Sequence, residues 1–422
     1  MHVSSALKRL GVVVLAIAAF AGCLSGEGDG SAVVERRTVG DTTIVRTIAG
    51  SVWGDTARLV EELRIGAPDG PAELSFASVN ELTVGPDGSV HLYDEQASAV
   101  RSFDSTGAFL RTIGREGEGP GEFSGLRALQ ALPDGRVALL DARAVRFYSP
   151  IGEAMQAVRI AFPSRPNADL SLAIDSAGNL YALTRGSPPS TERSDDRSPG
   201  PTRGDVVVRV DSSGGITDTL PVPTRPQVEW RPMLFGPEWS WTFHPHGHFV
   251  VGSSAEYAFE LRYRDGRVLR VERVVEPVPV DPGERASLRA SLAGMSLMMP
   301  APNGVTAMVS GDHLAIAEVK PAYRKLTAAD DGRIWVHRHT RATRVETPPD
   351  PSQPNPREVW REPSVYDLFE ADGRYVGAVA VPPKATLHVM AGHHVWGVLF
   401  GENDEQYVVR WRMERRRGTT GG

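Results

Sequence analysis

Apolar residues along this chain come in short runs, broken every few positions by Gly, Asp, Asn or Pro. The sharpest example is residues 109–148, FLRTIGREGEGPGEFSGLRALQALPDGRVALLDARAVRFY. Short runs bounded by turn residues mark strands joined as antiparallel hairpins. The stretch reads as an outer strand, a glycine-rich crossing, two strands around Pro133-Asp134-Gly135, and a further strand. The same parts occur just before it: Leu82, Pro86, Leu92 and Asp94 return at Leu129, Pro133, Leu139 and Asp141, each 47 residues on. Such a period means one supersecondary unit built several times over.

Weaker copies follow, each read as four strands, A to D. Unit three runs through residues 170–174, 180–183, 206–210 and 216–220, and unit four through 239–243, 249–251, 257–263 and 268–275. Unit five runs through 323–328, 334–336, 365–369 and 375–381. Unit six has three strands only, 386–389, 395–400 and 407–411, while residues 59–65 form a strand ahead of unit one with no hairpin of their own. If that strand completes unit six, both chain ends share a sheet and no edge is left open. The predicted fold is therefore all-β: a six-bladed β-propeller of four-stranded antiparallel blades, closed by an N-terminal strand, with one short helical insertion. That helix starts at Asp281-Pro282-Gly283-Glu284, where an Asp cap, a first-turn Pro and an early Glu fit initiation, and is expected to reach Leu297. Residues 42–48 also read as a strand, with no place in this scheme.

The motif Gly119-Pro120-Gly121-Glu122-Phe123, followed by Pro133-Asp134-Gly135 and Asp141, resembles the NHL-repeat six-bladed propellers, including bacterial lipoprotein members. The resemblance covers units one and two. It departs from the usual pattern at Ala99, where such repeats carry Arg. Six-bladed relatives include metal-dependent lactonases and lyases with sites at the channel mouth, so the resemblance implies a site there.

Composition refines the setting. The 422 residues hold 43 Gly and 32 Pro, which suits many turns, and the formal net charge of -6 argues against a nucleic-acid-binding surface. Lys8 and Arg9 precede an apolar run ending in Ala21 and Gly22, directly before Cys23, the only cysteine. A basic start, a short apolar segment and small residues at its end form an export signal. Phe20-Ala21-Gly22-Cys23 resembles a bacterial lipobox, and by that resemblance Cys23 is the acylated first residue of the mature chain; the alternative is a plain signal peptide with an incidental cysteine. Leu24 rather than Asp after it points to the outer membrane of a bacterial cell envelope. The expected organisation is a lipoprotein signal peptide over 1–22, a flexible tether over 23–40, the propeller over 41–414 and a disordered tail over 415–422.

Four segments exceed the repeat: residues 186–203, 224–237, 278–321 and 341–363. In an up-and-down sheet, B–C and D–A connections leave by one face, so all four insertions decorate the same side. Loops on a rigid scaffold usually carry function. At the channel mouth on that side, alignment of the repeats places Asn80, Glu81, Arg127, Trp239, Arg324 and Lys325. Arg127, Arg324 and Lys325 either hold a carboxylate or phosphate or pair with acids such as Glu81 and Glu238. Trp230, inside an insertion, reads as an exposed anchor, whereas Trp239 and Trp241 read as stacking residues or core. His244-Pro245-His246-Gly247-His248 lies on a tight A–B turn of the opposite face and reads as a turn. His337 and His339 lie nearer the decorated face, where a metal remains open. No Gly-x-Ser-x-Gly elbow, phosphate loop, His-Glu-x-x-His or paired-cysteine metal motif occurs. The expected role is recognition of a protein, peptide or anionic small molecule without cofactor. The alternative is a lactonase-like hydrolase or lyase using one calcium or zinc ion, with Asn80, Glu81 and Asp169 as the obvious rim oxygens.

Overall fold

The computed structural model describes residues 32–117, 119, 121–141, 143–159, 172–175, 177–185, 205–211, 215–224, 231–300, 306–345 and 359–415. Cys23, Asp169, Trp230 and the insertion at 186–203 lie outside them.

Each repeat forms an antiparallel sheet in sequence order. Unit one comprises Val79–Val84, Val90–Asp94, Ala99–Phe103 and Phe109–Ile113, and unit two Ala128–Ala131, Val137–Leu140, Ala144–Tyr148 and Ala154–Arg159. Unit three comprises Leu172–Ile174, Leu180–Arg185, Asp205–Val210 and Ile216–Pro221. Unit four comprises Trp239–His244, His248–Ser253, Ala258–Arg262 and Val268–Arg273. Unit five comprises Tyr323–Ala328, Ile334–Arg338, Val365–Phe369 and Tyr375–Ala380, and unit six Ala385–Ala391, His394–Phe400 and Gln406–Glu414. The Pro-Asp-Gly turns explain the tight A–B connections. Asp87 accepts a hydrogen bond from the Ser89 amide at 3.0 Å, and Gly88 takes φ +81°, a conformation open to glycine at little cost.

Sheets pack face to face in chain order. Val100 and Ile113 of unit one meet Leu129 and Tyr148 of unit two, whose Val145 and Val158 meet Leu180 and Val208 of unit three. Tyr181 and Val207 of unit three meet Phe243 and Phe249 of unit four, whose Val250 and Phe259 meet Leu326 and Ile334 of unit five. Trp335 and Leu368 of unit five then meet Val395 and Val409 of unit six, and Trp396 and Val398 of unit six meet Leu82 and Phe103 of unit one. This is the architecture of a β-propeller, with strand A of each unit innermost. Between units four and five, the fully buried Asp367 accepts hydrogen bonds from Tyr257 at 2.6 Å, Tyr375 at 3.0 Å and Arg273, so its charge is compensated inside the core.

The N-terminal region departs from expectation in one respect. Residues 33–39, assigned to the tether, form a strand, Val33–Val39, that hairpins through Gly40 and Asp41 onto Thr42–Ala49. Its valines and threonine favour extended backbone, and Gly40 at φ +58° makes the two-residue turn. Thr42–Ala49 lies parallel to Val268–Arg273, so unit four carries two extra outer strands, which places the strand at 42–48. Ala57–Ile65 pairs antiparallel with Gln406–Glu414. It also touches Tyr375–Ala380 at Ala57 and Arg58, fusing the sheets of units five and six.

The helix is shorter than the sequence suggests, Pro282–Leu292 instead of reaching Leu297. Asp281 caps it through the Gly283 amide at 2.8 Å. Gly294 at φ +71° leaves the helical region, and Ser296–Pro300 turns into a hairpin with Thr306–Ser310.

Candidate functional site

Three inner strands carry a β-bulge near the decorated face, and they belong to the consecutive units five, six and one. The register shifts between Tyr323 and Lys325, between Leu387 and Val389, and between Val79 and Glu81. The unpaired residues are therefore Arg324, His388 and Asn80. Bulges re-aim side chains and concentrate beside functional sites. The inner strands of units two, three and four pair without such shifts over their described residues.

The bulges draw a carboxyl, an ammonium and an imidazole into one electrostatic group. Burial pushes the Glu81 carboxyl up to about 7, although the Leu129 amide donates to it and Lys325 favours its charged form. Burial lowers His388 to about 4, and the Lys325 charge adds to that. His337 is likewise lowered to about 4, first by burial and then by Arg324, and its ring stacks on Tyr366 at 4.5 Å while Ser364 lies 3.2 Å from Nε2. At neutral pH the arc thus presents two neutral imidazoles and a carboxyl near its midpoint of titration, beside Arg324 and Lys325. Glu81 and its neighbour Thr83 also serve the fold: the Leu129 and Ala131 amides on the open edge of unit two donate to them.

Room for the unit-six bulge comes from Gly397, paired with Leu387 across the ladder. A Cβ there would lie 1.9 Å from the Thr386 carbonyl oxygen. Gly397→Ala is expected to cost about 1–3 kcal/mol by overpacking and to displace His388. Urea denaturation checks the first effect, and the His388 imidazole NMR shift checks the second.

Beside the arc, two insertions are locked together by a buried ionic cluster. The Lys320 side chain is fully buried; its Nζ donates to Glu284 at 2.8 Å and to Glu362 at 2.9 Å, with the Thr340 carbonyl at 3.5 Å. Glu284 sits in the first turn of the helix, and Glu362 follows Val359–Arg361, a short strand paired with Thr343–Val345 inside the 341–363 insertion. Arg324 reaches Glu362 at 2.7 Å, and His339 reaches it at 3.1 Å. Burial works to raise the Glu362 carboxyl, but hydrogen bonds from His339, Thr340, Lys320 and Arg324 outweigh it and hold it well below the usual carboxylate range. Trp360 packs on Gly283, where a Cβ would come within 2.6 Å of its ring. Met233–Leu234 pairs parallel with Ala315–Ile316, tying in the 224–237 insertion as well.

The residues singled out from sequence separate accordingly. Asn80, Glu81, Arg324 and Lys325 stand on the bulged arc, with Asn80 donating to Glu95 at 2.6 Å. Arg324 follows the ordinary alternative, since it pairs with an acid, though the acid is Glu362 and not Glu81 or Glu238. Arg127 is exposed on unit two, outside the arc. Trp239 packs with Trp241 into the apolar layer of units three and four. The His337 ring stacks on Tyr366, whereas His339 meets Glu362. The 244–248 histidines form the expected turn, with the His244 and His248 rings stacked at 4.2 Å. Sequence reasoning missed His388 and Lys320. The first is displaced by a bulge with no sequence signature, and the second has partners 36 and 42 residues away.

No protein-family model matches the chain, and no curated protein matches it. Solved structures similar to it include a DUF4221 family member from Bacteroides vulgatus, at 9% identity and TM-score 0.49 over 85% of this chain and 99% of that one. Virginiamycin B lyase from Staphylococcus aureus is similar at 12% identity and TM-score 0.37, over 83% and 99% of the two chains. A gluconolactonase from Xanthomonas campestris stands at 10% identity and TM-score 0.37, over 84% and 99%. At these scores the fold rests on the sheet order and inter-unit packing of this chain itself, and function on its own residues.

Proposed function

We propose that the chain is a lipid-anchored, extracytoplasmic propeller of six blades, closed through residues 57–65, that recognises a carboxylate-bearing small molecule or acidic peptide segment at the arc of units five, six and one. The observation that carries this reading is the bulged arc, where Lys325 stands within electrostatic reach of Glu81, His388 and His337. Acylation at Cys23 and the outer-membrane location rest on the N-terminal sequence alone.

The sign of the pH dependence follows from Glu81. Protonated, it donates to a ligand carboxylate; ionised, it repels one. Affinity is therefore expected to fall as pH rises through about 7. Citrate and a Glu-rich peptide, titrated calorimetrically at pH 6 and pH 8, test this. Binding is expected to be roughly tenfold tighter at pH 6, to lose its pH dependence in Glu81→Gln and to disappear in Lys325→Met. Absence of binding to both probes, or binding indifferent to Lys325→Met, would sink the proposal.

A second reading, a hydrolase or lyase at the same mouth, is favoured by Glu81 alone, since a carboxyl near 7 suits general acid–base work. Lys325 acts on Glu81 there, and among the described residues, which leave out Asp169, no three His, Cys, Asp or Glu gather as ligands.

A further inference from the structure

We propose that two copies of this chain pair edge to edge through Val33–Val39, forming a two-fold dimer with one continuous sheet across the interface. Val33–Val39 is the terminal strand of the six-stranded sheet of unit four, all its residues are exposed, and among the described residues no strand lies on its outer side. Val33, Val34 and Val39 remain 52%, 39% and 62% exposed. An open edge is a template for another strand.

The register of such a pair follows from the hydrogen bonds already made. The carbonyls of Asp41 and Thr47 accept from Val268 and Val274, so the odd-numbered residues of Thr42–Ala49 turn away from Val33–Val39. The even-numbered ones turn toward it, and their partners are Val39, Arg37 and Glu35. Successive residues alternate in direction, so the groups on the open edge belong to Val34, Arg36 and Thr38. Two identical edges that meet antiparallel through these groups centre on Arg36.

In that register Val33 faces Val39 of the other copy, and Glu35 faces Arg37, on one side of the sheet. All four facing pairs on that side are apolar-to-apolar or acid-to-base, and the arrangement is its own complement, as a two-fold interface requires. On the other side Val34 faces Thr38. The two Arg36 side chains meet at the axis, where solvent lets them splay. Shifting the register by two residues in either direction brings Glu35 against Glu35 or Arg37 against Arg37, so charge selects the centred one. A partner of unrelated sequence would not be matched to this pattern.

The test uses the full chain in mild detergent, followed by sedimentation velocity from sub-micromolar to on the order of 100 µM. The expected result is a monomer–dimer equilibrium. Glu35→Arg and Arg37→Glu should each sediment as monomers, and a 1:1 mixture of the two should recover the dimer, because each then supplies the charges the other lacks. Thr38→Pro removes an outward N–H and no hairpin bond, so it should also abolish the dimer while circular dichroism stays unchanged. A wild-type chain that stays monomeric throughout would overturn the proposal. So would a dimer that survives both charge reversals, or a mixture that stays monomeric.

Discussion

Acidification from pH 7 to pH 4 is expected to unfold this protein, and histidines are the main reason. His91, His244 and His248 are buried, and burial lowers them to about 4, about 4 and about 3. His244 shows why. Its Nδ1 accepts from the His246 amide at 3.1 Å and its Nε2 lies 2.9 Å from the Gly332 carbonyl, so the ring is held neutral. A proton on Nδ1 breaks the first bond. The stacked His248 would bring a second charge alongside, with His246 and Tyr263 as its other neighbours. His91 sits between Ser89 and Ser102, with Asp87 and Arg111 exerting opposite electrostatic effects.

Between about pH 6.5 and 4 the unfolded chain binds these protons and the folded chain does not. The histidines' contribution to stability is therefore complete above about 6.5 and lost as pH falls. A histidine protonated near 4 in the fold and near 6.5 outside it loses roughly 3 kcal/mol over that interval. Three of them approach the roughly 5–15 kcal/mol that holds a typical domain together. Glu81 works in the opposite direction, because its raised value removes stability as pH rises from about 4.5 to 7. Tryptophan fluorescence against pH measures the balance. His248→Phe keeps the stack without the basic nitrogen and should lower the acid midpoint; an unchanged midpoint in that variant would refute the assignment.

Lys320→Met is expected to destabilise the chain by about 3–5 kcal/mol, the usual consequence of stripping the partner from buried charges. Met replaces the alkyl stem but none of the donors, leaving Glu284, which is 4% exposed, with no cation. Its Oε2 already lacks a partner in the native arrangement, so the ammonium is its main compensation. Glu362 keeps Arg324 and His339 and suffers less. The double variant Lys320→Met with Glu284→Gln should therefore recover much of the loss, a coupling that urea denaturation of the four-member cycle can measure. A loss below about 1 kcal/mol, or strict additivity, would mean that the cluster does not hold the insertions together.

The strand order was legible because each unit restates the same punctuation. Pro86-Asp87-Gly88 and Pro133-Asp134-Gly135 announce their turns chemically, and the missing strand of unit six pointed to residues 59–65. Residues 33–39 were misread since Glu35, Arg36 and Arg37 interrupt the apolar pattern, whereas an outer strand with both faces exposed needs no such pattern. The candidate site was half legible. Position along strand A gave Asn80, Glu81, Arg324 and Lys325, but His388 arrives through a bulge, and a one-residue slip redirects a side chain without changing composition. The Lys320 cluster was not legible at all, because its members come from three separate segments that meet only once the insertions fold.

Pairing Ala57–Ile65 with Gln406–Glu414 has a temporal meaning as well. A strand made ahead of unit one must wait for the last strand of unit six. Thr42–Ala49 likewise waits for Val268–Arg273. Contacts so distant along the chain slow folding and leave strands exposed meanwhile. The inner units can form as they emerge, but the sheet that pairs Ala57–Ile65 with Gln406–Glu414 cannot, so its completion waits until the later strand has left the ribosome.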